Sequence, residues 1–168
     1  MRDFENITSL CKLKPNYIGF IFWAPSERYV SDKTPKILTI TQSTYDGILY
    51  NVEIIKDVLN GHIDTLHFDE AWVPHAAFHD FYKDMHAIGE NRPRAKDTII
   101  FSTQSIHKLL AGISQASQIL VQDSETKRFD HNIFNEAYLM HSSTSPQYSI
   151  IASLDTNPEK PMGRLNTE

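Results

Sequence analysis

The sequence holds one cysteine, Cys11, in 168 residues. A single cysteine excludes an internal disulfide and every zinc site built from several thiolates, and it fits a reducing, cytoplasmic setting. Glycine is scarce too, with six residues. No Gly-x-Gly-x-x-Gly, Gly-x-x-x-x-Gly-Lys or Gly-x-Ser-x-Gly occurs. Dinucleotide fingerprints, phosphate loops and the serine-hydrolase elbow are therefore missing. Basic residues are not in excess: 16 Lys and Arg stand against 21 Asp and Glu, for a net charge of −5. Without a basic cluster, nucleic acid is not expected as a partner. Long apolar runs are lacking as well. The stretch Tyr17 to Pro25 falls far short of the ~20 residues a membrane-spanning helix needs. Asp3 and Glu5 stand where a signal peptide carries basic residues. That stretch reads as a buried strand or packed loop, and no membrane association is expected.

What is present is a folded domain. Hydrophobic residues make up 40% and charged residues 22%, outside the range of disordered tails. The length suits one domain, able to bury roughly two-thirds of its unfolded surface. Pro15, Pro25 and Pro35 interrupt the first part of the chain. Lys36 to Thr41 (KILTIT) then reads as a short buried strand, and Asp46-Gly47 as a turn. Ile48, Leu49, Val52, Ile55 and Leu59 have helical spacing, with Asn60-Gly61 as the stop. Ile63 to Phe68 predicts a second strand ending at Asp69, and Ala71 to Tyr82 an aromatic-rich, partly helical segment. Thr98 to Ser102 predicts a third strand, followed by a helix from about His107 or Lys108. Gln118 to Val121 reads as a fourth strand. Asn132 to Met140, and a stretch from Gln147 to Ser153, read as helices.

Strands alternating with helices predict an α/β fold with a mainly parallel sheet. Ligands of such sheets bind beyond the carboxyl ends of the strands. Asp69 and Lys108 both fall there. A lysine at a helix start, beside His107, faces the positive end of the helix dipole. A lowered amine pKa and Schiff-base chemistry would follow. The plain alternative is a surface lysine on an amphipathic helix. A strand-end aspartate can hold a protonated ring nitrogen or a metal, and it can equally cap the next turn.

Taken together, the motifs carry more. The stretch TQSIHKLLAGISQAS (Thr103 to Ser117) resembles the cofactor-attachment motif of the bacterial ornithine/lysine/arginine decarboxylases, which are pyridoxal-phosphate enzymes of the aspartate-aminotransferase fold. The resemblance extends through STYDGILYN (Ser43 to Asn51), HFDEAWVPHAAFH (His67 to His79), FNEAYLMHSSTSPQY (Phe134 to Tyr148) and IIAS (Ile150 to Ser153). It implies a fold, part of a major domain with a mainly parallel sheet and flanking helices. It also implies an activity, removal of CO2 from lysine, arginine or ornithine to give the amine. Lys108 would carry the cofactor, with His107 beside it in a catalytic role. Asp69 would pair with the pyridine nitrogen, Ala71 would pack on the ring face and Trp72 would border it. Ser105 and His107 would line the phosphate side. The loop HSSTSPQY would reach toward a partner subunit in a homo-oligomer, with Ser143 contacting phosphate. Chains of that family are several-fold longer. Residues 31–155 are accordingly expected to be the central part of the major domain. Residues 1–30 read as an atypical N-terminal segment and 156–168 as a polar tail.

Two other classes were weighed. His75, His79 and His86 invite a metal, because imidazoles at i and i+4 on a helix can share one. Ala76 stands where a metalloprotease motif needs glutamate, and Trp72, Phe78, Phe81 and Tyr82 favour aromatic packing instead, so no metal is expected. A truncated remnant without turnover is the non-enzymatic alternative.

Overall fold

The structure is a computed structural model that describes residues 35–89 and 92–155. The expectations for Tyr17 to Pro25, for residues 1–30 and for the 156–168 tail lie outside the described residues.

Two sequences with period-2 burial build the centre of the sheet. In β2 (Thr65–Asp69), Leu66 and Phe68 point inward. In β3 (Ile99–Gln104), Ile100, Ser102 and Gln104 do so. The strands run parallel, with Leu66 opposite Ile100, Phe68 opposite Ser102 and Asp69 opposite Thr103. β1 (Ile37–Thr41) pairs parallel to the other side of β2, bringing Thr41 opposite Asp69. β4 (Gln118–Gln122) pairs antiparallel with β3, with Gln118 opposite Gln104. The order β1-β2-β3-β4 is the expected mainly parallel sheet. One expectation fails: β1 is not buried. Ile37, Leu38, Thr39 and Thr41 are exposed and only Ile40 is half-buried. β1 is the outer strand, bonded to β2 alone among the described residues, so it lacks the second neighbour that encloses β2 and β3.

Helix α1 (Val52–Leu59) covers the inner face. Val52 joins Leu66, Phe68, Ala87 and Ile100 in the buried core, and Ile55 and Leu59 pack against it. The helix starts later than its apolar spacing predicts. Ser43 and Leu49 form an antiparallel bridge around the Asp46-Gly47 turn, and buried Gln42 Nε2 donates to Tyr50 O at 2.7 Å. Residues 48–50 are thus held extended, and Asn51 caps the helix by accepting the Ile54 amide on Oδ1 at 3.0 Å. The stop falls at Asn60, followed by Gly61 in the left-handed region at φ 76°, as the sequence indicates. Asn51→Ala is expected to cost about 1 kcal/mol of stability, the usual loss for a side-chain cap, measured by urea denaturation.

Residues 74–78 and 80–82 form short 3-10 turns, which satisfies the partly helical expectation for the aromatic segment. A single turn, α2 (Ile106–Leu109), follows β3. Helix α3 (His131–His141) is capped by Asp130, whose Oδ1 accepts the Asn132 and Ile133 amides. Phe129 meets Phe101 of β3 edge-on and Phe134 packs tilted against it, at 5.5 and 6.1 Å between centroids, which places α3 on the sheet face opposite α1. Helix α4 (Tyr148–Asp155) is tied back to the loop after α2, where the Ile113 amide donates to Ser153 Oγ at 3.0 Å.

Candidate functional site

Because β1, β2 and β3 are parallel, their carboxyl ends share one edge, and each strand sends a reactive or aromatic group there. β2 ends on Asp69, half-buried, whose Oδ1 accepts the Ala71 amide at 3.1 Å. That bond folds the chain so that Trp72 is presented at the same edge. The turn after β1 delivers Tyr45, whose ring meets Trp72 edge-on at 5.4 Å. β3 leads into α2, and Lys108 lays its Nζ 4.6 Å from the centre of the Trp72 ring, a cation–π contact. The segments bearing Asp69, Ala71, Trp72 and Lys108 therefore converge. Lys108 is exposed and Asp69 Oδ2 makes no hydrogen bond among the described residues.

The turn that carries Lys108 differs from expectation. α2 is four residues long and begins at Ile106, so Lys108 sits in an isolated turn, not at the start of a longer helix. A single turn of four residues builds no appreciable macrodipole, so the helix-start argument finds no support here. The turn is held by other bonds. Ala116 O accepts both the His107 amide, at 3.1 Å, and His107 Nδ1, at 2.9 Å. A carbonyl only accepts, so Nδ1 carries the hydrogen. Ser105 occupies the cap position of α2 but makes no side-chain cap bond, leaving its hydroxyl outside the helix. A Cβ at Gly112 would lie 3.0 Å from Ala116 Cβ and 3.1 Å from Ile106 Cγ2, so the close return of the loop needs glycine there.

Ser143 lies apart. It is exposed between α3 and α4, and its hydroxyl closes a local turn with the backbone of Ser145. Among the described residues no hydrogen bond joins it to Asp69 or Lys108. Of the histidines weighed for a metal, His75 and His79 pack edge-on against Tyr82, and His86 Nε2 accepts from Arg92 Nε at 3.3 Å.

The sequence reading missed Glu70. Its place in the turn after β2, just before Ala71, suggests a side chain that points away and caps the segment starting at Ala71. Asp69 caps Ala71 instead, and Glu70 turns into the core, fully buried. Its Oε1 accepts the Ala87 amide at 2.6 Å, and its Oε2 accepts Ser102 Oγ at 2.5 Å and Gln104 Nε2 at 2.9 Å. Burial pushes this carboxyl above the ordinary glutamate range, while the three donors pull against that rise. The signal was available: Leu66, Phe68 and Glu70 are spaced by two, so Glu70 belongs to the inward face. A second unforeseen feature crosses the opposite face. Thr39 Oγ1 and Thr103 Oγ1 bond the two ring nitrogens of His67, at 3.3 and 3.0 Å, linking β1, β2 and β3 one step behind Asp69.

Comparison with known proteins finds clear relatives. The lysine decarboxylase LdcA of Pseudomonas aeruginosa is 51% identical over 132 residues, which cover 77% of this chain and 17% of that protein. The lysine decarboxylase of Hafnia alvei is 47% identical over 122 residues, covering 73% of this chain and 15% of its own length. An arginine and an ornithine decarboxylase also match. The solved structure of lysine decarboxylase A from Pseudomonas aeruginosa superposes with a TM-score of 0.69 at 49% identity, over 78% of this chain and 18% of that one. The chain thus spans about a sixth of the length of these relatives. No helix among the described residues is long and apolar enough to cross a membrane. Residues 25–166 match the model for the Orn/Lys/Arg decarboxylase major domain, and to that family this chain belongs.

Proposed function

We propose that this chain carries the pyridoxal-phosphate site of a decarboxylase of basic amino acids, lysine first, with arginine and ornithine as the other candidates. The carrying observation is Lys108 Nζ poised 4.6 Å over Trp72, three residues after Asp69. The end of β2 brings a carboxylate and the turn after β3 an amine to one edge, and among the described residues one carboxylate oxygen has no hydrogen-bond donor. That set fits a pyridine ring bearing a carbonyl. Residues 31–155 are read as the central part of the major domain.

When bound, pyridoxal phosphate supplies an electron sink for the pair left behind as CO2 departs. The residues of this chain do the rest. Lys108 provides the amine for covalent attachment. Asp69 holds a proton on the pyridine nitrogen, as a carboxylate does for a cationic partner. Ala71, too small to block the ring face, and Trp72 bound the ring. The Ser105 hydroxyl and His107 serve the phosphate side. Ser143 serves a partner subunit in a homo-oligomer, which agrees with its exposure on a loop away from Lys108. The relatives named for lysine put that substrate first, and a cytoplasmic setting fits the single cysteine.

The distal cation of the substrate needs an acceptor once it leaves water. Asp69 is committed to the ring nitrogen. Glu70 is enclosed by three donors, and Glu136 is exposed on α3. The cation site is therefore assigned outside this chain. A second reading, a catalytically inactive piece of such an enzyme, is favoured by the small share of its relatives that the chain spans. Incubation with pyridoxal phosphate, then with each of the three carboxyl-labelled amino acids, separates the readings. A visible absorption band with weak, unselective CO2 release is expected. A protein that stays colourless favours the inactive piece. Strong release from one amino acid alone would place the cation site within the chain, against the assignment made here.

A further inference from the structure

We infer that Glu70 is a positioning residue that locks the end of β2, bearing Asp69, to the end of β3, which leads into the turn of Lys108; the inference rests on the function proposed above. The side chain is fully buried and touches neither the open edge nor solvent. Its carboxylate gathers three segments. Ala87 holds Oε1 from the segment that also packs on α1, while Ser102 and Gln104 of β3 hold Oε2. The backbone repeats the tie: the Glu70 amide donates to Thr103 O at 2.9 Å, and Glu70 O accepts the Val73 amide at 3.0 Å, closing the turn around Trp72.

Gln104 carries the tie onward. Its Nε2 donates to Glu70, and its Oε1 accepts Gln118 Nε2 from β4 at 2.7 Å. Gln104 immediately precedes Ser105 and the turn of Lys108. Gln118 follows shortly after Ala116, whose carbonyl holds His107. The turn of Lys108 is thus anchored on both sides to residues referred back to the neighbour of Asp69.

Chemistry requires a carboxylate at this position. All three groups facing Glu70 donate, and an ionised carboxylate is acceptor-only on both oxygens. Glutamine would set its NH2 against the Ala87 amide or against Gln104. Gln104 can turn its amide round only if Gln118 turns with it, since Gln118 Nε2 donates to Gln104 Oε1. Such a donor–donor contact moves the strand ends apart instead of merely weakening one bond.

The test uses the full 168-residue chain. Without cofactor, Lys108→Ala removes the cation from the Trp72 ring and changes tryptophan emission; taken as a difference, the signal of Trp23 cancels. That difference is expected to vanish in Glu70→Gln and in Gln104→Leu. It is expected to persist in Ile100→Val, a core change that leaves the donors of Glu70 in place. With pyridoxal phosphate and borohydride, labelling at Lys108 should slow by roughly tenfold to a hundredfold in the same two variants, as about 1 Å of misplacement costs a reacting group. Labelling of the other lysines should not change. A folded Glu70→Gln chain that keeps the emission difference overturns the positioning role. Unfolding of both variants also overturns it, reducing Glu70 to a group that holds the fold. Loss of the difference in Glu70→Gln, in a parent chain that never labels at Lys108, supports the positioning and overturns only the cofactor assignment it rests on.

Discussion

Lys108→Ala is expected to abolish covalent retention of pyridoxal phosphate while leaving the chain folded. Lys108 is exposed and its side chain rests on the Trp72 ring. Losing that contact costs roughly 0.5–1 kcal/mol at an exposed position, too little to unfold the domain. The loss of attachment should be complete, because among the described residues Lys108 is the lysine set against Trp72 beside the end of β2. Lys56, the buried lysine of α1, donates to Ala87 O at 2.7 Å and to Glu53 at 3.2 Å on the opposite side of the sheet. Burial holds its ammonium below the ordinary lysine range, so it is a reactive amine in principle, but one closed off within the fold. The check is absorbance of the cofactor retained after gel filtration, together with an unchanged thermal transition.

Asp69→Asn should leave the turn intact and weaken the cofactor. Asparagine Oδ1 can still accept the Ala71 amide, so the bond at 3.1 Å survives. What is lost is the charge facing the ring nitrogen. Hydrogen bonds to charged groups contribute about 1.5–3 kcal/mol, which corresponds to an affinity loss of roughly tenfold to a hundredfold. A pyridoxal-phosphate titration followed by absorbance reads this directly. Wild-type affinity in a folded Asp69→Asn chain would remove Asp69 from the ring nitrogen.

The parts of the fold that could be read from the sequence are those written in local periodicity. β2 shows alternation, β3 a short apolar run rich in isoleucine, and Asn60-Gly61 marks the end of α1. Asp69 and the Ser-x-His-Lys turn stand at strand ends in both readings. The parts that could not be read depend on groups distant in sequence. Ser102 and Ala87 reach Glu70 only once β2, β3 and the segment before Arg92 are assembled. The shortness of α2 has the same origin. Residues 106–113 carry an acceptable helical pattern, yet the chain reverses through Gln115, left-handed at φ 73°, so that Ala116 O can hold His107. No glycine marks that residue as a turn. The exposure of β1 depends on its place in the strand order, which hydrophobicity alone does not reveal.

Peptide mapping after borohydride reduction of the chain with pyridoxal phosphate tests the central assignment most directly. One modified peptide is expected, containing Lys108 within Ser105 to Ser117, with its yield falling in Asp69→Asn. Modification at another lysine, or spread over the surface lysines with Lys108 unmodified, would contradict the placement of the cofactor between Asp69 and Lys108.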